Sequence, residues 1–194
     1  MSRRRAGDGS IIYRSRMARG LVIVDIQNDY FPGGRHELVG PEQAAERAAA
    51  VLARFRQRGE PVFHVQHVWE GEDAAFFSPG TPGVEIHEAV RPADGEPVVQ
   101  KAHPNSFRET DLLRRLRDAD VTDVVVAGMM TSMCVDATVR AAADLGFGCT
   151  VVHDACATLD LEFGGRTIPA ASVHGAFIAA LGDSYATVTS SDDV

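Results

Sequence analysis

The chain has 194 residues, 45% of them hydrophobic and 24% charged, which is enough for one folded core and ordinary for a globular protein. Its 19 Lys and Arg against 27 Asp and Glu give a formal charge of −8, which argues against a nucleic-acid partner or an anionic membrane surface. No apolar run is long enough to span a bilayer, and three cysteines without metal-type spacing or a secretory leader read as reduced thiols of a cytoplasmic protein.

Residues 1–18, with Ser2-Arg-Arg-Arg5 and Arg14-Ser-Arg16, read as a disordered N-terminal extension to a single domain over residues 19–194. Leu21 to Asp25 is the first predicted strand, and it leaves the Asp25 carboxylate at its mouth. A turn-rich loop, Gln27 to Gly34, leads to a helix from Pro41 to about Arg58 that carries Ala44, Ala45, Ala48, Val51, Leu52 and Phe55 on one face and stops at Gly59. Pro61 to Gln66 is the second strand. The long segment from His67 to about Pro92 is rich in Gly and Pro and holds Trp69, Phe76 and Phe77, which would line a pocket, cover it or meet a second copy.

Val98 and Val99 form a short strand with Lys101 just past it, and a helix follows over about Glu109 to Arg117. Val124 to Val126 is a β-branched buried strand that Gly128 breaks. Thr131 and Ser132 are suitable N-caps for a helix running from Val135 to Leu145 and ending at Gly146, so Cys134 is expected in its first turn. Backbone N–H groups and the positive helix end would favour a thiolate there, and could hold an oxyanion. Gly148 to His153 is a further strand, Ile168 to Leu181 a helix containing His174, and Ala186 to Thr189 a last short strand; His153, Asp154 and Cys156 read as structural.

The alternation of strands and helices predicts a parallel sheet covered on both faces, with ligands at the carboxyl ends of the strands. Asp25, Lys101 and Cys134 all fall at such ends. Together they are the parts of an acyl-transfer site, in which the sulfur attacks, the carboxylate moves protons and the cation biases both. Taken singly, each has a bland reading: an inert packed thiol, or solvated loop charges. No Gly-x-Gly-x-x-Gly follows a strand, so no dinucleotide site is predicted.

Four stretches carry a resemblance: Val24-Asp-Ile-Gln-Asn-Asp-Tyr-Phe31, Lys101-Ala-His-Pro-Asn-Ser-Phe107, Gly128-Met-Met-Thr-Ser-Met-Cys-Val135 and Thr150-Val-Val-His-Asp-Ala-Cys-Ala157. In this order the chain resembles the isochorismatase-like cysteine hydrolases, a group that includes nicotinamidases, N-carbamoylsarcosine amidase and ureidoacrylate amidohydrolase. The resemblance implies an α/β fold, a three-layer α/β/α sandwich around a six-stranded parallel sheet in Rossmann-like order 3-2-1-4-5-6. It implies a catalytic triad of Asp25, Lys101 and Cys134, an oxyanion hole of the Met130 and Cys134 backbone N–H groups, a cis Met129–Met130 peptide, and a homodimer or homotetramer acting on a small-molecule substrate. Phe31, Gln66, His67, Phe107, Met130 and Met133 become expected pocket residues, and Lys101, Arg108 and His67 a local positive patch for an anionic ligand.

One departure concerns metal. Nicotinamidases hold a divalent ion with an Asp-x-His pair after the second strand, where this chain has His67-Val-Trp69. His64 and His67 should point to different faces, leaving only His36, His87 and His103 as further partners, so neither a metal nor any other cofactor is expected. The predicted function is cleavage of a small non-peptide amide-type C–N bond through a thioester. The alternatives are an isochorismatase-type vinyl ether hydrolase, which does not need the thiol, and a catalytically silent oligomeric binding protein.

Overall fold

The computed structural model describes residues 18–69, 71 and 74–194; the extension expected at the N-terminus lies outside them, apart from its last residue. Six strands form one sheet: β1 (Arg19–Val24), β2 (Val62–His67), β3 (Val98–Lys101), β4 (Asp123–Met129), β5 (Gly148–Ala157) and β8 (Thr187–Thr189). Their order is β3-β2-β1-β4-β5-β8 and every pairing is parallel. This is the expected order; the sixth strand carries number eight because a small antiparallel hairpin, β6 (Leu161–Phe163) and β7 (Arg166–Ile168), precedes it.

Helix α1 (Pro41–Arg58) buries Ala44, Ala45, Ala48, Val51, Leu52 and Phe55. Four of these positions are an i, i+3, i+4, i+7 stripe, so one helix face meets Leu21, Ile23, Val62 and Val125 of the sheet. The opposite sheet face, with Val22, Val24, Phe63 and Val65, is covered by α2 (Leu112–Asp118), α3 (Asp136–Asp144) and α4 (Ala170–Ser184) through Leu112, Leu116, Val139, Ala142, Ile178 and Leu181. The result is three layers with the strand ends β1, β2, β3 and β4 side by side.

Three expectations shift in detail. The helix expected over Glu109–Arg117 begins at Leu112, because Thr110 accepts the Leu112 N–H and donates its own hydroxyl to the Ser106 carbonyl, closing a turn in front of it. The helix expected from Ile168 begins at Ala170, because Ile168 closes the hairpin and Asp160 accepts the Ala170 N–H. Thr131 and Ser132 cap nothing. Residues Thr131–Val135 form a wide turn in which the Val135 N–H reaches the Met130 carbonyl, and it runs directly into α3. Their buried hydroxyls turn to neighbouring elements instead, Thr131 to the Ala157 carbonyl and His174, Ser132 to Thr158. The Met129–Met130 peptide is cis.

Candidate active site

The sheet's middle is built for close approach. Gly128 has φ +146, and a Cβ there would collide with the Val24 backbone of the neighbouring strand, so only glycine fits where β4 passes β1. One residue on, Asp25 has φ +49, a left-handed conformation that costs a non-glycine residue about 1–3 kcal/mol and clusters at functional sites. Its N–H is held by the Val65 carbonyl at 3.1 Å.

Asp25, Lys101 and Cys134 meet there. Lys101 Nζ lies 2.7 Å from Asp25 Oδ2, and neither side chain is exposed to solvent. The Cys134 sulfur, His67 and the Asp25 carboxylate have donor atoms within 4.8 Å of one another. His67 Nδ1 is 3.2 Å from Lys101 Nζ, 3.9 Å from Asp25 Oδ2 and 4.0 Å from the sulfur. The ammonium also donates to the carbonyls of His103 at 3.0 Å and Pro104 at 3.3 Å. Asp25 Oδ1 and His67 Nε2 are buried with no hydrogen-bond partner among the described residues, which marks this cluster as under-satisfied.

The charges follow from this geometry. Burial works against the Lys101 ammonium, but Asp25 and the sulfur outweigh it and hold its pKa above the ordinary lysine value. Burial, followed by the neighbouring ammonium, lowers His67 to about 4, so its ring is neutral near pH 7. The thiol corrects the sequence reading. Burial first, then the Asp25 carboxylate, push Cys134 well above the ordinary thiol range, and the opposing pull of Lys101 is smaller. The resting group is therefore a thiol beside a carboxylate rather than the thiolate expected from a helix terminus, because the site is dry and the sulfur shares it with a negative charge.

Other expected residues fall in different places. Phe31 stacks on His87 with ring centroids 3.7 Å apart, and Met130 is buried in the same core cluster. Gln66 faces away, its amide donating to the Val84 carbonyl and accepting from Gln100, so it lines a separate cleft with His87 and Arg91. Phe107 packs on the helix face opposite, near Phe147. Met133 is 48% exposed. The positive patch does not form, because Arg108 lies at the surface beside Glu109 and His67 is neutral. His64 pairs with Glu96 at 2.8 Å, away from His67, as the strand alternation requires. His36 stacks on Phe76 and His103 pairs with Glu109, so with His87 on Phe31 none of the three joins His67. Asp25, His67 and Cys134 are the one group of metal-type donors among the described residues. Lys101 Nζ sits among them, so the ammonium already supplies the positive charge a metal would bring.

Sequence reading missed the residues that frame the chamber. Gln27 bonds both ways to the His67 backbone, accepting its N–H at 2.7 Å and donating to its carbonyl at 2.8 Å. Buried Asp29 accepts the N–H groups of Phe77 at 2.6 Å and Arg35 at 3.1 Å. Its carboxylate also occupies the space a side chain at Gly83 would need. The available signal was two polar residues inside a stretch that also carries Tyr30 and Phe31. Asp29 thereby anchors an aromatic sleeve beside His67: Trp69 and Phe77 against its ring at 5.6 and 5.8 Å, Phe76 against both, and Tyr30 against Phe77 at 4.7 Å.

Comparison with known proteins gives one consistent result. A family described as the isochorismatase domain matches residues 19–193. An uncharacterized isochorismatase family protein, YddQ of Bacillus subtilis, is 53% identical over 176 residues, covering 91% of this chain and 98% of its own. The maleamate amidohydrolase of Pseudomonas putida is 32% identical over 148 residues, 69% of this chain and 70% of that protein. Among solved structures, one described as an isochorismatase hydrolase from Oleispira antarctica superposes with a TM-score of 0.89 at 52% identity, covering 92% of this chain and 96% of that one.

Proposed function

This chain belongs to the isochorismatase family of hydrolases, and from that premise we propose that it cleaves a small non-peptide amide with Cys134 as nucleophile. The observation that carries this reading is the buried Asp25–Lys101 ion pair at 2.7 Å beside the Cys134 sulfur. The amidohydrolase relative supports amide chemistry in particular.

In the proposed cycle, Asp25 accepts the thiol proton as the sulfur attacks the amide carbon. The raised thiol pKa fits this order, since the proton stays on sulfur until a substrate is present to receive the electron pair. Lys101 remains an ammonium and balances the negative charge shared by carboxylate and sulfur. The backbone N–H groups of Met130 and Cys134 hold the oxyanion. The amine leaves with the proton from Asp25, and a water activated by Asp25 cleaves the thioester, returning the thiol.

The test is ammonia release from a panel of small primary amides, with mass spectrometry of the trapped acyl-enzyme. Cys134→Ala is expected to lower turnover by at least about 10⁴-fold while the thermal transition stays in place. Turnover retained in that variant would refute the nucleophile, and pyruvate release from a vinyl ether substrate, with no amide cleaved, would move the protein to the other branch of hydrolysis.

A further inference from the structure

We infer that His67 is a positioning residue, a neutral imidazole whose Nδ1 lone pair fixes the Lys101 ammonium between Asp25 and Cys134. The inference rests on the proposed function, which makes Cys134 the reacting atom, and adds a member to its machinery.

The tautomer follows from the ammonium's inability to accept, since a proton on Nδ1 would face the N–H bonds of Lys101 at 3.2 Å. An ammonium has three hydrogens and no acceptor. Its neighbours are Asp25 Oδ2 at 2.7 Å, the His103 carbonyl at 3.0 Å, His67 Nδ1 at 3.2 Å and the Pro104 carbonyl at 3.3 Å. Nδ1 at that distance must accept, so the ring proton resides on Nε2. An imidazolium in this place would present a second positive charge to Lys101; the dry surroundings and that ammonium keep the ring neutral.

The ring is also held too firmly for a side chain of no consequence. Gln27 grips its backbone from both sides, Trp69 lies nearly parallel to it at 9°, and Phe77 closes another side. All of this places one nitrogen within 4.0 Å of each triad member. Two of the ammonium's remaining neighbours are carbonyls of its own loop, which draw it away from the sulfur. Nδ1 is the neutral side-chain nitrogen, among the described residues, that accepts from the ammonium while lying 4.0 Å from the sulfur. Without it, the cation slides toward His103 and Pro104, and the sulfur loses the charge that favours its ionisation.

The probe is iodoacetamide, a small amide that needs no knowledge of the natural substrate. The sulfur forms a bond to the methylene carbon, iodide leaves with its electron pair, and the thiol proton passes to Asp25. Alkylation is read peptide by peptide, with Cys149 and Cys156 in the same chain as internal standards. His67→Phe keeps a stacked ring and removes the acceptor; His67→Asn places an amide oxygen near the position of Nδ1. Near neutral pH we expect Cys134 to react about tenfold more slowly in His67→Phe and within about threefold of wild type in His67→Asn. A Phe variant as fast as wild type overturns the role, and so do two variants that are equally slow, which would reduce His67 to packing.

A second readout needs no variant. The ¹⁵N spectrum of histidine-labelled wild-type protein should show His67 with a bare Nδ1 and a protonated Nε2, and the opposite tautomer or an imidazolium overturns the inference. If wild-type Cys134 reacts no faster than Cys149, the nucleophile itself is lost and His67 has nothing to position. That failure is distinct from the others, since it appears before any substitution is made.

Discussion

Strand β2 carries two buried histidines three residues apart, one beside a partly exposed cluster of charge and the other inside a buried one. On the α1 face, His64 donates from Nε2 to Glu96 at 2.8 Å, while Arg56 makes two bonds to the same carboxylate at 2.7 and 2.8 Å and the Ala93 N–H a further one at 2.9 Å. Both Glu96 oxygens are fully engaged, and the Arg56 bonds above all hold its carboxyl down at about 2. At the strand mouth, Asp25 has one cation on one oxygen, a second oxygen without a partner among the described residues, and a thiol and a neutral imidazole for neighbours. The first cluster has satisfied its charges, with the uncharged His64 Nδ1 its one buried atom lacking a partner among the described residues, and it holds the β2–β3 region to α1. The second retains bonding capacity in a dry setting, the condition in which an ionised group is both expensive and reactive.

Removing one charge from each cluster should break the comparison most sharply. Lys101→Met leaves the unexposed Asp25 carboxylate without a counter-charge, so we expect a loss of about 3–5 kcal/mol in urea unfolding, together with loss of turnover. A folded, stable Lys101→Met protein would mean that Asp25 takes up a proton at little cost, and the ion pair would no longer describe the resting site. Glu96→Gln keeps the shape and removes the charge of the other cluster. It should lower stability by about 2 kcal/mol, from weakened bonds to Arg56 and His64, while turnover changes by less than about threefold.

Acid unfolding separates the two histidines from Glu96 by pH window. His64 and His67 are both held below the ordinary 6.5, first of all by burial, so the unfolded chain binds protons that the folded chain refuses. Stability from this source is complete above pH 6.5 and is lost as pH falls, for His67 down to about 4. Glu96 is depressed from 4.5 to about 2, so its contribution is complete above 4.5 and fades only as pH drops toward 2. Denaturant titrations across these windows should show the Glu96→Gln variant losing the lower decline, while the upper one persists and deepens because His64 loses the charge that raises its pKa. An unchanged profile below pH 4.5 would remove Glu96 as a stabilising anion.

The sequence made some of this visible and hid the rest for physical reasons. Asp25 and Lys101 each close a short apolar run and Cys134 lies in the turn beyond another, and the alternation of strands and helices places such residues at one edge of a parallel sheet. The state of the sulfur was hidden, because it depends on how much water reaches a chamber closed by side chains distant in sequence. The faces of Gln66 and His67 differ by one residue of register, so a reading that sends both to the mouth fails for one of them. Thr131 and Ser132 look like caps to a local rule, and only the neighbouring β5 end and α4 supply the Thr158, Ala157 and His174 partners that claim them. The β6–β7 hairpin escaped because its strands span three residues each around Gly164 and Gly165, shorter than any alternation can reveal.

Trp69 offers the smallest expected effect and the finest distinction. It is 43% exposed and touches the site only through one ring face of His67. Trp69→Ala removes that stacking and a contact with Phe76, worth about 1 kcal/mol together beyond the area they cover. It leaves the two Gln27 bonds to the His67 backbone and the Phe77 contact in place. The ring should therefore keep its orientation, Nδ1 its ammonium, and Cys134 an iodoacetamide rate within about threefold of wild type. A fall as large as that of His67→Phe would show that the aromatic sleeve, rather than the backbone clamp, aims the imidazole, and the under-satisfied cluster would then extend outward to the molecular surface.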